Sequence, residues 1–313
     1  MIKVAILYGG PGSEHEVSIS SAKNILENID RDKFDVLEVF ITKDKKYKIN
    51  DSLFEEQEGI KEIKDKGVEI IFPIIHGEYG EDGELQERLE ESQIKFVGSS
   101  SVVSRLTIDK NKTNEILSKN GIKIPKSKII TKENSGIDFN YPIILKPVSE
   151  GSSVDLFKFE NEYDFKNYSE KIFEKHKDML AQEFVKGREF TCGVIDIGGK
   201  PNPLVATEVI LTKGELFDYE AKYTQGGCKE ITPAETDDEL MENIKNLAVS
   251  CHKVLDCKSI SRTDMILKDG ELYVLEINTI PGMTKTSFIP QQAKACGYDM
   301  KDLITILIKS AHE

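Results

Sequence analysis

Along residues 1–94 short apolar runs alternate with amphipathic stretches, and nothing else in the sequence restricts the fold as much. The runs at 3–8, 36–41 and 68–75 read as buried strands, and the stretches near 16–29 and 83–92 read as helices. A strand, a covering helix and a further strand in repetition is the pattern of a parallel sheet with helices on its faces.

The pattern restarts over about 95–182. A helix near 109–120 ends at Asn120-Gly121, and strands follow at 127–131 and 143–147. After a Gly/Ser loop come a strand near 154–159, a helix near 161–175 and a strand at 179–184. The last segment opens with long β-rich runs and carries helices at 237–255 and 300–311. In the first of these Leu240, Ile244, Leu247, Ala248, Cys251, Val254 and Leu255 recur three and four apart, the stripe of a helix lying on a core. The chain has 313 residues, about twice the usual single-domain length, so an α/β protein of two or three domains is expected, its segments running over 1–94, 95–182 and 183–313. A loop at 212–229 is long enough to suspect a function.

Lys plus Arg number 42 and Asp plus Glu 55, a balance of −13 that argues against nucleic acid or an anionic membrane as a general partner. An anionic substrate would need a local cluster of cations. No apolar run approaches the length of a membrane span, and the amino end lacks the pattern of a signal peptide, so the chain is expected in the cytosol. Its cysteines, Cys192, Cys228, Cys251, Cys257 and Cys296, form no Cys-x-x-Cys pair and are expected reduced and structural. His15, His176, His252 and His312 have no partner pattern and read as solvated or structural, and Tyr8 and Phe72 as core.

The most informative stretch is 261–278, SRTDMILKDGELYVLEIN, two strands joined by a tight turn. A two-residue turn at Asp269-Gly270 would place Asp264 and Glu276 on opposite faces, because side chains alternate with period two. A three-residue loop ending in Gly270 pairs Leu267 with Glu271 and Arg262 with Glu276. It gathers Arg262, Asp264, Glu276 and Asn278 on one face, and Thr263, Met265, Leu267, Tyr273, Leu275 and Ile277 on the other. The second register is expected. Two carboxylates and an amide oxygen on one face are hard ligands suited to Mg²⁺. The spacing alone equally allows an Arg262–Glu276 ion pair with Asp264 solvated.

Two loops follow strands. The stretch 143–154, IILKPVSEGSSV, is a strand ending in Lys146 and a loop of small residues whose backbone N–H groups suit an anion, although such a loop is also an ordinary turn. The stretch 9–16, GGPGSEHE, does not match G-x-G-x-x-G, and Glu14 and Glu16 oppose a pyrophosphate there. It suits a cationic ligand, or else plain helix capping by Ser13.

Taken together, 9–18 (GGPGSEHEVS), 76–83 (HGEYGEDG), 146–154 (KPVSEGSSV), 218–223 (DYEAKY), 262–264 (RTD) and 276–284 (EINTIPGMT) resemble the D-alanine:D-alanine ligase family of the ATP-grasp superfamily, in the right order and across nearly the whole chain. The resemblance implies an α/β, three-domain ATP-grasp architecture with ATP held between the central and carboxyl-terminal sheets. It implies that Lys110, Lys146 and Lys222 hold phosphates, and that Asp264, Glu276 and Asn278 hold two Mg²⁺ ions, with Mn²⁺ as an alternative. Gln182, Glu183 and Val185 match the adenine hinge and Glu189 the ribose position. Gln182 departs from a family pattern that begins with Glu.

The implied reaction transfers the γ-phosphoryl of ATP to one D-alanine. The amine of a second then attacks the acyl phosphate, giving D-alanyl-D-alanine for peptidoglycan. Arg262 and the N–H of Gly282 match the oxyanion groups. Tyr223, on the 212–229 lid, matches a residue linked to Ser152 and Glu14, with Glu14 facing the first ammonium. Ser287, with the backbone at Phe288, matches the second carboxylate site, and His76 lies near the reacting groups. The family also implies a homodimer. Asp155, where relatives often have Gly, and Thr286, for a frequent His, are further departures. D-Lactate or D-serine as second substrate, or a silent nucleotide-binding regulator, are the alternatives; the intact EAKY favours the dipeptide.

Overall fold

Alternate residues of the first strand, β1 (Ile2–Gly9), face two different cores. Val4 and Ile6 point to one side, where Ile25 of α1 (His15–Asn28) and Leu303 and Leu307 of the last helix lie; Ala5 and Leu7 point to the other, against Ile63, Leu85 and Leu89. This is the two-sided burial of a parallel strand. The computed structural model describes residues 1–149, 155–212 and 227–311.

In the first sheet β2 (Phe34–Ile41), β1, β5 (Ile70–Pro73) and β6 (Lys95–Phe96) run parallel, as the alternation predicts. A hairpin of β3 (Tyr47–Ile49) and β4 (Ser52–Phe54) extends the edge beyond β2, and α2 (Glu56–Asp65) and α3 (Glu84–Ser92) cover one face. The hairpin and β6 go beyond the expected elements, since strands of two or three residues show too little alternation to register as a period; α2 is a further unread helix. The expected helix near 109–120 is α5 (Lys110–Lys119), and a second unread helix, α4 (Ser101–Ile108), precedes it. Asp109 divides them, extended at φ −80° and ψ 96°, its carboxylate accepting from Lys112 N at 3.0 Å.

The second sheet is antiparallel, in the order β7 (Ser127–Thr131), β10 (Asp178–Glu183), β8 (Ile143–Pro147), β9 (Phe157–Phe159). One face packs on α6 (Glu162–Lys175) through Ile143, Leu145, Met179 and Ala181. Ile144, Lys146 and Gln182 therefore face the other way. The third sheet, also antiparallel, orders β13 (Cys228–Ile231), β12 (Lys200–Leu211), β11 (Arg188–Ile197), β14 (Ile260–Lys268), β15 (Glu271–Asn278). The predicted stripe of α7 (Asp238–Val254) lies on it, with Ile244 and Ala248 against Cys192, Val194 and Met265. Two helices follow, α8 (Phe288–Ala295), unread in the sequence, and α9 (Met300–Ser310).

All five cysteines are free, and Cys251 is buried on the stripe of α7 as expected. His15 and His252 are buried, one Nδ1 bonded to Gly10 O at 2.6 Å and the other to Ser261 Oγ at 2.7 Å. His176 Nε2 bonds the Asp155 carboxylate at 2.8 Å, and Lys175 bonds it too, so this acid is held by the end of α6. His312 lies outside the described residues. No helix among those described is long and apolar enough to cross a membrane.

Candidate active site

The bare faces of the second and third sheets enclose a cleft lined by Lys110, Lys146, Gln182, Glu183, Val185, Glu189, Asp264, Glu276 and Phe288. Lys110 opens α5, its N–H donating to Val148 O at 3.0 Å at the end of the strand that carries Lys146. Two lysines thus meet two acids across one cleft, with Ile144, Phe184, Ile266 and Leu275 as apolar wall.

The acids arrive by a different register from the one expected. The turn between β14 and β15 has two residues, Asp269 at φ 51° and Gly270 at φ 80°, and pairs Lys268 with Glu271. Two positive φ angles in succession mark the tight hairpin turn that asparagine or aspartate followed by glycine favours. Left regular, this ladder would turn Glu276 away from Asp264. A bulge corrects it: Met265 pairs with Val274 but Asp264 pairs with Glu276, so Leu275 is the extra residue. Arg262 accordingly pairs with Asn278 and not with Glu276. The four polar residues share one face as expected, but Tyr273 and Leu275 do not join the apolar face; Leu272 and Val274 take their places.

Arg262 forks onto Asp264, Nε to Oδ1 at 2.8 Å and Nη2 to Oδ2 at 2.7 Å, and Thr191 Oγ1 donates to the same Oδ1 at 2.5 Å. Asp264 is therefore not left to solvent: the Arg262 fork is spent on it, its side chain 19% exposed. Burial works against the Arg262 charge, yet the carboxylates of Asp264, Glu276 and Glu81 outweigh it and push its pKa up. Its Cζ stands 5.6 Å from the Phe288 ring centroid. Asn278 Oδ1 accepts from Ile280 N at 2.9 Å, which fixes the direction of the amide oxygen.

Beyond Asn278 the chain turns against the first sheet. His76 Nδ1 bonds Ile280 O at 2.8 Å, and burial lowers the imidazole pKa while Glu14 works the other way. His76 Nε2 is buried with no hydrogen-bond partner among the described residues. Glu14, not Ser13, is the N-cap of α1 and makes no side-chain cap bond, so the plain capping alternative fails. Its carboxylate lies beside Gly77, Oε2 being 3.8 Å from where a Cβ would stand. Gly9 and Gly10 let this turn approach: both have positive φ, and a Cβ would lie 2.2 Å from Ile41 O at one and 2.5 Å from Ile75 Cγ2 at the other. Ser287 caps α8; its Oγ accepts from Thr284 N at 3.0 Å and would be 2.8 Å from a Cβ on Gly282.

A family model described as D-ala D-ala ligase C-terminus matches residues 110–309, and one described as D-ala D-ala ligase N-terminus matches 3–67 and 50–99. The D-alanine--D-alanine ligase of Leptospira biflexa is 37% identical, with 98% of each chain covered. The chain belongs to the D-alanine–D-alanine ligase family. Among solved structures, the VanG D-Ala:D-Ser ligase from Enterococcus faecalis superposes with a TM-score of 0.86 at 30% identity over 99% of both chains. The Bacillus anthracis D-alanine--D-alanine ligase complexed with ATP gives 0.81 at 28%, covering 100% of this chain and 98% of that one. These ligases have the ATP-grasp fold, and the α/β chain described above shares it.

Within this ligase fold, the cleft gathers Lys110, Lys146, the 182–185 hinge, Glu189, Asp264 and Glu276. The junction gathers Glu14 and His76 beside Ile280, and Gly282 beside Ser287. Ser152, Lys222, Tyr223 and most of the 212–229 loop lie outside the described residues. Two residues that the sequence did not single out also belong here, Glu81, which shares the neighbourhood of Glu14 and Arg262, and Thr191 on Asp264; Leu275, expected on the apolar face, lines the cleft. Glu81 stood inside the 76–83 stretch; Thr191 carried no local signal.

Proposed function

We propose that the protein joins two D-alanine molecules into D-alanyl-D-alanine, using ATP and releasing ADP and phosphate, as a step of peptidoglycan synthesis. The observation that carries this is the meeting of Lys110 and Lys146 with the opposed Asp264 and Glu276 in one cleft that adjoins the Glu14–His76 junction. Lysines hold the phosphates of ATP, and the apolar wall with Gln182, Glu183, Val185 and Glu189 holds the nucleoside.

Asp264, Glu276 and the fixed oxygen of Asn278 fit a divalent cation, since three oxygens on one face match the donor set that Mg²⁺ takes. When bound, two such ions, Mg²⁺ or Mn²⁺, would neutralise charge on the transferring phosphoryl group. Arg262, with the N–H of Gly282, stabilises the oxyanion of the tetrahedral adduct, and Glu14 receives the ammonium of the first D-alanine. Ser287 and the backbone at Phe288 take the second carboxylate. His76, whose Nε2 has no hydrogen-bond partner among the described residues, lies near the reacting groups.

A division at 1–94, 95–182 and 183–313 serves this chemistry and is supported by one sheet falling in each segment, β6 apart. A homodimer in the cytosol completes the reading, the compartment supported by five unpaired cysteines. The likeness to a D-Ala:D-Ser ligase gives D-serine as the second reading for the acceptor. Phosphate release from ATP and Mg²⁺ with D-alanine alone, then with added D-serine or D-lactate, separates them. Release with D-alanine alone and a D-alanyl-D-alanine product is expected; release only with D-serine or D-lactate overturns the dipeptide, and no release with any of the acceptors overturns the ligase.

A further inference from the structure

Gln182 lies on the cleft face of β10, paired with Ile144 of β8 and one step along the same face from the Leu180–Lys146 pair. It is 3% exposed, and its Nε2 is buried with no hydrogen-bond partner among the described residues. An orphaned amide donor is costly, and one set in the wall of a cleft calls for a ligand that brings an acceptor. Two neighbouring backbone donors are spent within the fold: Glu183 N donates to Lys126 O at 2.8 Å and Phe184 N to Pro142 O at 3.0 Å.

The chemistry of the two purine classes differs at this edge. Adenine carries an amine at position 6, which only donates; hypoxanthine and guanine carry an oxygen there, which only accepts. A carboxylate at position 182 would accept alone and so reject the oxygen. The carboxamide has both capacities in nearly the same shape, and a half-turn exchanges them.

We propose that the nucleotide site takes 6-oxopurine nucleoside triphosphates as phosphoryl donors beside ATP, the Gln182 amide turning its oxygen to an adenine amine and its Nε2 to a 6-oxo group. This rests on the ligase reading above, which places the base at the hinge. The phosphoryl transfer is unchanged: the bond from the β–γ bridging oxygen to the γ-phosphorus breaks, the D-alanine carboxylate takes the phosphoryl group, and the nucleoside diphosphate leaves.

The test compares ATP with ITP, whose base lacks the 2-amino group of guanine and differs from adenine in the oxygen at position 6 and the hydrogen on N1, in a D-alanine-dependent phosphate-release assay. For the unaltered chain kcat/KM with ITP is expected within tenfold of that with ATP, and Gln182→Glu is expected to raise the ATP-to-ITP ratio at least tenfold. Purine riboside triphosphate, with hydrogen at position 6, is expected to fall below both, a comparison that needs no variant. ITP below a tenth of ATP, a ratio that Gln182→Glu leaves within tenfold, or purine riboside triphosphate equal to ITP would overturn the inference. Turnover with ATP alone refutes only this step, whereas no turnover with any nucleotide refutes the ligase reading beneath it.

Discussion

A carboxylate that accepts from backbone N–H groups ordinarily titrates low, and Glu81 accepts from Gly77 N at 2.6 Å and from Ile280, yet its pKa is pushed up to about 8. Burial is the larger cause and the Glu14 charge the second. At neutral pH Glu81 is therefore mostly protonated, and the Arg262 charge is left to Asp264 and Glu276. In the unfolded chain the same carboxyl loses its proton near its ordinary value of 4.5. Between 4.5 and about 8 the folded chain holds a proton that the unfolded chain has released, so this group makes stability fall as pH rises through that window and level off above it. Melting temperatures measured from pH 5 to 9 should fall more steeply with pH in the unaltered chain than in Glu81→Gln. The difference between the two profiles belongs to Glu81; parallel profiles would mean that it is ionised throughout.

At the scale of elements, the β14–β15 hairpin separates what a sequence states from what it leaves open. That Arg262, Asp264, Glu276 and Asn278 share a face was legible, because a strand that scattered them would bury charge among Thr263, Met265 and Ile277. How they come to share it was not: a loop of three and a loop of two plus a bulge give the same faces at that end, and the choice rests on backbone angles at Asp269 and Gly270. Long periodic helices such as α7 were legible for the same reason that α8 and the three-residue strands were not, since a period needs several repeats to show. The bulge also yields a test. Deleting Leu275 leaves Asp264 opposite Glu276 on a regular ladder and removes one apolar side chain from the cleft wall. The deleted chain is expected to keep its phosphate-releasing activity, with KM for ATP raised several-fold and kcat changed less; activity abolished in a folded protein would show that the bulge sets more than register.

Over the whole molecule, the site is finished by contacts that no stretch of sequence announces. Ser21 and Asn24 of α1 are buried polar residues in the amino-terminal unit, and both reach the carboxyl-terminal chain beside Gly282: Met283 N donates to Ser21 Oγ at 3.1 Å, and Asn24 Nδ2 donates to Met283 O at 2.8 Å. One apolar core joins the same partners, with Val4, Ile6 and Ile25 packed among Ile280, Met283, Ile289 and Leu303. No sequence pattern marks Ser21 and Asn24, because their partners lie about 260 residues away and only the fold brings them close. The first sheet thus supplies Glu14 and His76 and also holds the turn that presents Gly282 and Ser287, while the nucleotide cleft between the other two sheets does not touch Asn24. Asn24→Ala leaves the Met283 carbonyl buried without its donor and should cost about 1–3 kcal/mol in urea unfolding. It should also lower kcat and raise KM for D-alanine, because the turn loosens, with KM for ATP within twofold of the unaltered value. A shift confined to KM for ATP would show that this fastening serves the nucleotide cleft and not the turn.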